Sequence, residues 1–330
     1  MPHRYIPMLK TKAGEIVALE QLSSGAKDRV LPLLHVGESL SPSFAKNMAT
    51  AWGSRLIVVD GSFNFNHTGS ANAALGLVQG LRNNGTPVMP SVSYADAAQY
   101  VQAASMVRDD HGLVVKASLP QIGSVVGWVV ANGWSPSEVD LVIDAKHIGS
   151  VDVPTYSGYV QSILFQNAQA LQQFRSVTLA AGSAPKDHGG LNYGPNHVPR
   201  DDWALWSSVR PLSPVRLDYG DYCTGHPDLT EPPGPAMASA TVSARYTIDN
   251  HWLIIKGRST GGQYGQPMAV QYMSHAQAIQ AHSGFGGVQS CWADTRIQAA
   301  ASGAPKMASR QKWSEIAANR HISLVADRLP

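Results

Sequence analysis

Cysteine is nearly absent: Cys223 and Cys291 are the two in 330 residues. They exclude a disulfide framework and a zinc site built from cysteine alone. Charge is also sparse, at 15% of the chain, with 25 basic against 23 acidic residues and a formal net charge of +2. That balance lacks the electrostatic footprint of a protein that coats DNA, and no helix-turn-helix or C2H2 pattern occurs. Sequence-specific nucleic-acid recognition is therefore not expected. No apolar run approaches about 18 residues, and the opening MPHRYIPMLKTKAGE has no long apolar stretch of the signal-peptide kind. The expectation is a cytoplasmic protein with no membrane partner. What the chain does have is 44% hydrophobic residues, enough for one large core or two modest ones.

Those residues fall into a rhythm. Short β-branched runs alternate with longer stretches of helical composition, the pattern of parallel βα units. Tyr5 to Leu9, Val30 to Val36, Arg55 to Asp60, the run from Thr86, the run from Gly112, Val139 to Ala145, the run from Ser176 and the run from Val215 read as eight strands. Most are apolar nearly throughout, as expected of strands covered on both faces. Eight such units with no hairpin between them predict an α/β fold, a closed (β/α)8 TIM-like barrel, over residues 1–222.

Beyond residue 222 the pattern changes. The Pro-rich PDLTEPPGPA leads to SARYTIDNHWLIIKGRS, which reads as a hairpin turning at Asp249-Asn250. A helix, MSHAQAIQAHS, and the terminal WSEIAANRHISLVADRL follow. Residues 223–330 are thus expected to form a C-terminal hairpin and cap segment packed on the barrel as one structural domain. The loop KDHGGLNYGPNHVPRDD reads as a surface loop, and Asp201 or Asp202 as the N-cap of the helix after it.

Four pieces in this order carry a resemblance: PMLKTKAGEIVAL at Pro7 to Leu19, YGDY at Tyr219 to Tyr222, ARYT at Ala244 to Thr247 with WLIIKGR behind it, and W-x5-N-x-H-I at Trp313 to Ile322. On them the chain resembles the beta protein family of bacteria and bacteriophage. The resemblance implies a barrel-like domain encoded in bacteria and their mobile elements, and leaves the chemistry open.

In such a barrel the ligand lies at the C-terminal strand ends. Asp60, Asp144 and Asp218 are expected there, each following buried residues and so needing a partner, either a lysine or a divalent metal. Lys116, inside VVKAS, either neutralises one of them or, if desolvation lowers its pKa, serves as a Schiff-base lysine. Lys146 is a second lysine of this kind. These four, Asp60, Lys116, Asp144 and Asp218, are the candidate catalytic residues.

Lys10, Lys12, Glu15, Asp221 and Tyr222 belong to the expected ligand-binding rim. Gly182 and Ser183 occupy the place where many barrels hold a phosphate through backbone N–H groups, with Lys256 and Arg258 adding positive charge; ordinary turn chemistry explains the same glycine. Arg245 and His321 lie within the pieces that carry the resemblance and are included for that reason. No metal-ligand spacing is present, so a metal is left unassigned, with a divalent cation as the cofactor to test.

Two functions fit this set. One is binding or hydrolysis of a phosphate-bearing small molecule or nucleotide at the barrel mouth. The other is a non-catalytic interaction protein of a phage or anti-phage system, contacting a protein partner through its hairpin and cap.

Overall fold

The structure, a computed structural model, describes residues 4–230 and 241–330. The latter part of the Pro-rich connection, from 231, lies outside the described residues. The first half of the chain alternates strand and helix: β1 (Tyr5–Lys10), α1 (Ala13–Glu20), α2 (Ser24–Arg29), β2 (Leu33–His35), α3 (Phe44–Trp52), β3 (Ile57–Asp60), α4 (Ser62–Thr68), α5 (Asn72–Asn83), β4 (Val88–Ser93) and α6 (Ala98–Met106). The alternation continues with β5 (Leu113–Ala117), α7 (Ile122–Ala131), β6 (Val139–His147), α8 (Val153–Gln166), α9 (Ala168–Leu171), β7 (Ser176–Gly182), β8 (Gly194–Pro199), α10 (Asp201–Val209) and β9 (Leu217–Asp221).

Among these, β1 to β7 and β9 close into an eight-stranded parallel barrel, with β9 joining β7 to β1. The middles of the strands are mostly apolar because both faces are covered, and the polar residues gather toward their ends. Ile6, Met8, Leu33, Val58, Met89, Val114, Val142 and Ala180 point inward and fill the lumen. Their neighbours of opposite parity, such as Ile57, Val59, Val115, Ile143 and Leu179, pack beneath the surrounding helices. Gly220 is glycine because an added Cβ would stand 2.9 Å from the Cβ of Ala180, its register partner on the adjacent strand β7.

The remainder comprises β10 (Ser243–Ile248), β11 (His251–Lys256), α11 (Met268–Ala281), α12 (Trp292–Ala301) and α13 (Arg310–Arg328). The expected hairpin forms, with Ile248 paired to His251 around Asp249-Asn250. Its third strand was read as loop: β8, inside KDHGGLNYGPNHVPRDD, pairs antiparallel with β11, setting Val198 against Trp252. Pro195 and Pro199 fit an edge position, where a missing N–H costs no ladder bond. Asp201 and Asp202 lie in the first turn of α10, whose N-cap is Arg200, so the capping expectation is corrected.

The terminal α13 is one continuous helix shared by two cores. Its Trp313 and Ile316 join Tyr246, Tyr272 and Ile297 in the cap, whereas Ile322, Val325 and Ala326 join the barrel-side core. It packs along α1, and the Asn319 amide donates to Ala18 O at 2.9 Å. The helix that follows the last barrel strand is thus reached only after the cap has been built.

Candidate active site at the barrel mouth

Inward-pointing residues at the strand tips make the floor of the mouth. His35 ends β2, Asp60 ends β3, Ser91 is on β4, Lys116 on β5 and Asp144 on β6; all five are buried. The Lys116 Nζ sits 2.5 Å from Asp60 Oδ2, to which the Ser91 hydroxyl also donates at 3.1 Å. Backbone N–H of Ser62 donates to the other Asp60 oxygen at 3.0 Å. Asp144 accepts from the Tyr222 hydroxyl at 2.7 Å and lies 2.7 Å from the ammonium of Lys146, a mostly exposed side chain. Lys146 takes φ +58, which turns its backbone N–H back to Asp144 Oδ1 at 3.0 Å.

These contacts set the charge states. Burial opposes ionisation of Asp60, but the Lys116 cation and His35 outweigh it and hold the carboxyl well below its usual range. Burial likewise disfavours the Lys116 cation, yet Asp60 and Asp144 raise its pKa above the ordinary lysine value. A lysine held protonated is not a resting Schiff-base nucleophile, so the neutralising alternative describes Lys116. Burial opposes the charge of Asp144 too, and Lys146 with Lys116 keeps it low. Burial pushes the Tyr222 hydroxyl well above its usual range.

A cavity of about 440 Å3 opens above this floor, lined also by Ser62, Ser93, Asp96, Ser118 and Gln121. The residues from Pro227 to Leu229 form its far wall, where Lys186 is paired with Asp228. Two lining residues were not chosen from sequence. His35, stacked parallel to Tyr222, has neither ring nitrogen hydrogen-bonded among the described residues, and Asp60 Oδ1 stands 3.7 Å from its Nδ1. Asp96, in the loop after β4, accepts from Ser93 N at 2.6 Å and from the Ser62 hydroxyl at 2.7 Å, both at Oδ2. Burial, and then the negative charge of Asp60, raise the Asp96 carboxyl above its ordinary value. The visible signal for both was position: one ends a short strand and the other follows one.

Other expected site residues lie elsewhere. Asp218 is at the opposite end of the barrel, because β9 starts at Leu217. There it accepts from Arg4 N at 3.0 Å, beside the Arg175–Asp140 pair that closes the barrel floor. Asp221 and His321 are buried between barrel and cap and bond to each other. Ser183 donates to Asp202 and accepts from Trp252 Nε1, and an added Cβ on Gly182 would meet Pro227 Cγ at 2.9 Å. The expected phosphate cradle after β7 is therefore filled by protein.

Lys256 donates to the carbonyls of Gly189 and Leu191, and its ammonium and the Arg258 guanidinium both face the Tyr193 ring, away from the mouth. Arg245 donates to the carbonyls of Pro185 and Thr224. Lys10, Lys12, Glu15 and Arg245 line a second cavity, of about 850 Å3, between the start of α1 and the cap; it meets the first at Tyr222, Asp228 and Leu229. Lys10 Nζ also reaches Leu229 O at 3.4 Å. Burial, only partly offset by Lys12 and Lys10, pushes the Glu15 carboxyl up to about 7. Among the described residues, no group of three His, Cys, Asp or Glu side chains could hold a metal ion, and no helix is long and apolar enough to cross a membrane.

Fold and site together define a closed (β/α)8 barrel with an ionisable mouth and a sheet-and-helix cap. The model of the Beta protein family matches residues 5–327, and the chain belongs to that family. No curated protein matches the chain. Among solved structures it is similar to the enoyl reductase domain of MlnA from the macrolactin biosynthesis cluster of Bacillus amyloliquefaciens. Identity is 12% and the TM-score 0.37, over 98% of this chain and 80% of that one.

Proposed function

We propose that the barrel mouth binds a phosphate-bearing small molecule, and that hydrolysis of a phosphodiester is its reaction. The observation that carries this reading is His35: a buried imidazole on the cavity floor with neither nitrogen hydrogen-bonded among the described residues, Asp60 Oδ1 standing 3.7 Å from Nδ1, beside a buried ion pair. Buried polar atoms without partners are rare, and buried ion pairs seldom stabilise a fold beyond what apolar residues would do. Such groups at a cavity are better explained by a ligand that completes their bonding.

Lys116 and Lys146 supply fixed positive charge for a phosphoryl group, and the serine-rich wall of Ser62, Ser93 and Ser118 supplies hydrogen bonds. Two carboxyls of the mouth are driven apart in acidity. Asp144 stays ionised and is suited to orient and deprotonate an attacking water, while Asp96 retains its proton to higher pH and is suited to protonate a leaving oxygen.

Purified protein is assayed against a panel of nucleotides and dinucleotides, with Mg2+ or Mn2+ and with chelator, while thermal stability is followed with the same compounds and with inorganic phosphate. Turnover that falls at least about 100-fold in Asp144→Asn supports the assignment. Turnover intact in that variant removes Asp144 from the mechanism. A protein that neither turns over nor is stabilised by any of these compounds overturns the reading.

A further inference from the structure

The second cavity, of about 850 Å3, has a different lining from the mouth. Met8, Leu9, Tyr272 and Trp313 give it an apolar side, while Arg245 on β10 and His188 in the loop after β7 give it a polar one. Its volume suits an organic molecule better than a lone inorganic ion.

Arg245 is held in place without being neutralised. Its Nε donates to His188 Nε2 and one terminal nitrogen to Pro185 O, both at 3.1 Å, and the other terminal nitrogen donates to Thr224 O. Each terminal nitrogen of a guanidinium carries a second hydrogen, and neither of these has an acceptor among the described residues. No carboxylate of the described residues is in ion-pair contact with Arg245. Asp187, which also lines the cavity, accepts from Gly189 N at 2.7 Å, and Asp228 is paired with Lys186. Burial lowers the Arg245 pKa to about 10, so the guanidinium is still charged at neutral pH.

His188 adds a second donor. Because its Nε2 accepts from Arg245, the ring hydrogen of the neutral imidazole is on Nδ1, and that N–H has no acceptor among the described residues. An enclosed cation served only by uncharged acceptors is costly, and a bound anion removes the cost. A planar fork with unused hydrogens, joined to an imidazole N–H on the wall of a cavity, matches the oxygens of a phosphate or carboxylate. We propose that the second cavity binds an organic oxyanion, with Arg245 and His188 holding the anionic group and the apolar side receiving the body of the molecule. This site stands whether or not the mouth is catalytic.

The whole chain is titrated calorimetrically with phenyl phosphate, with benzoate and, as a neutral analogue, with benzyl alcohol. At least one of the two anions is expected to bind with a Kd below about 1 mM, and benzyl alcohol at least about tenfold more weakly. Which anion binds tells a phosphate site from a carboxylate site. Arg245→Met is expected to weaken that binding at least about tenfold. Ala13→Trp fills part of the cavity from an exposed position outside the Arg245 contacts and is expected to weaken it as much; it decides alone if Arg245→Met does not fold. Lys146→Gln removes a cation of the mouth and is expected to leave the affinity within about twofold, which separates the two cavities. Failure of both anions to bind, equal binding of benzyl alcohol, or the lack of any binding event that the cavity variants weaken and Lys146→Gln spares would each overturn the proposal.

Discussion

His321 Nε2 stands 2.7 Å from Asp221 Oδ2, a contact made across 100 residues with both side chains buried. Burial lowers the His321 pKa, and burial of Asp221 is outweighed by His321 and Arg200, which hold its carboxyl below the usual range. The Thr247 hydroxyl approaches the other ring nitrogen at 3.1 Å, and the Tyr5 hydroxyl donates to Asp221 at 2.6 Å. The arrangement has the outline of a nucleophile, base and acid, but Thr247 is fully buried and lines neither of the two cavities described above, so it joins cap to barrel. His321→Ala is expected to cost about 2–4 kcal/mol, because it leaves buried Asp221 and Thr247 short of a partner. Chemical denaturation measures it, and a cost below about 1 kcal/mol would show that the cap is held without this bond.

The floor of the mouth makes a different prediction. Lys116→Met leaves Asp60 buried without its cation and is expected to cost about 3–5 kcal/mol. Asp60→Leu should be costly in the same way. Joined in one chain, the two changes remove both charges and should cost clearly less than the sum of the singles. Recovery stays partial, since the Ser62 N–H and the Ser91 hydroxyl lose their acceptor. Strict additivity would mean that the ammonium and carboxylate do not interact energetically.

Gly112 tests how tightly the barrel is closed at the other end. Its φ is +85, and an added Cβ would meet Glu138 O at 2.2 Å and the Arg175 guanidinium at 2.9 Å. Backbone cannot yield as a flexible side chain does, so Gly112→Ala is expected to cost at least about 2 kcal/mol. Gly76, with open space around its Cβ position and an ordinary φ, is the matched control, and Gly76→Ala in α5 should stabilise slightly. Equal effects at the two sites would refute the steric account.

The barrel was legible because parallel strands covered on both faces leave long apolar runs, and Asp60 and Asp144 stood out as acids closing such runs. Asp218 was misplaced for a local reason. The run from Val215 contains two acids three residues apart, and a strand starting at Leu217 sends Asp218 to one end and Asp221 to the other. The third cap strand, β8, was hidden by Pro195 and Pro199, which mark loops as readily as sheet edges. His35 is legible as a polar strand end at the mouth but not as a site residue, and Asp96 not at all, because their importance comes from which atoms lack hydrogen bonds or lie near Asp60, and spacing along the chain records neither. The motif W-x5-N-x-H-I was visible, but its role was not: Trp313 stacks on Tyr272 in the cap, while Asn319 and His321 bind barrel residues.

The last prediction concerns acid stability and rests on His188, whose Nε2 accepts from Arg245 Nε at 3.1 Å. An imidazole used as an acceptor cannot take a proton there without losing the bond. Burial, reinforced by the Arg245 charge, lowers its pKa to about 4 from the ordinary 6.5. Between those values the unfolded chain binds more protons than the folded one at this residue, so its effect on stability falls as pH drops from about 6.5 to about 4. His188→Gln keeps an acceptor but cannot titrate. The wild-type melting temperature is therefore expected to fall more steeply over that interval than the variant's, with the two curves parallel above about pH 7. Parallel curves throughout would show that His188 titrates in the folded protein as it does in the unfolded chain, and that the Arg245 contact does not constrain it.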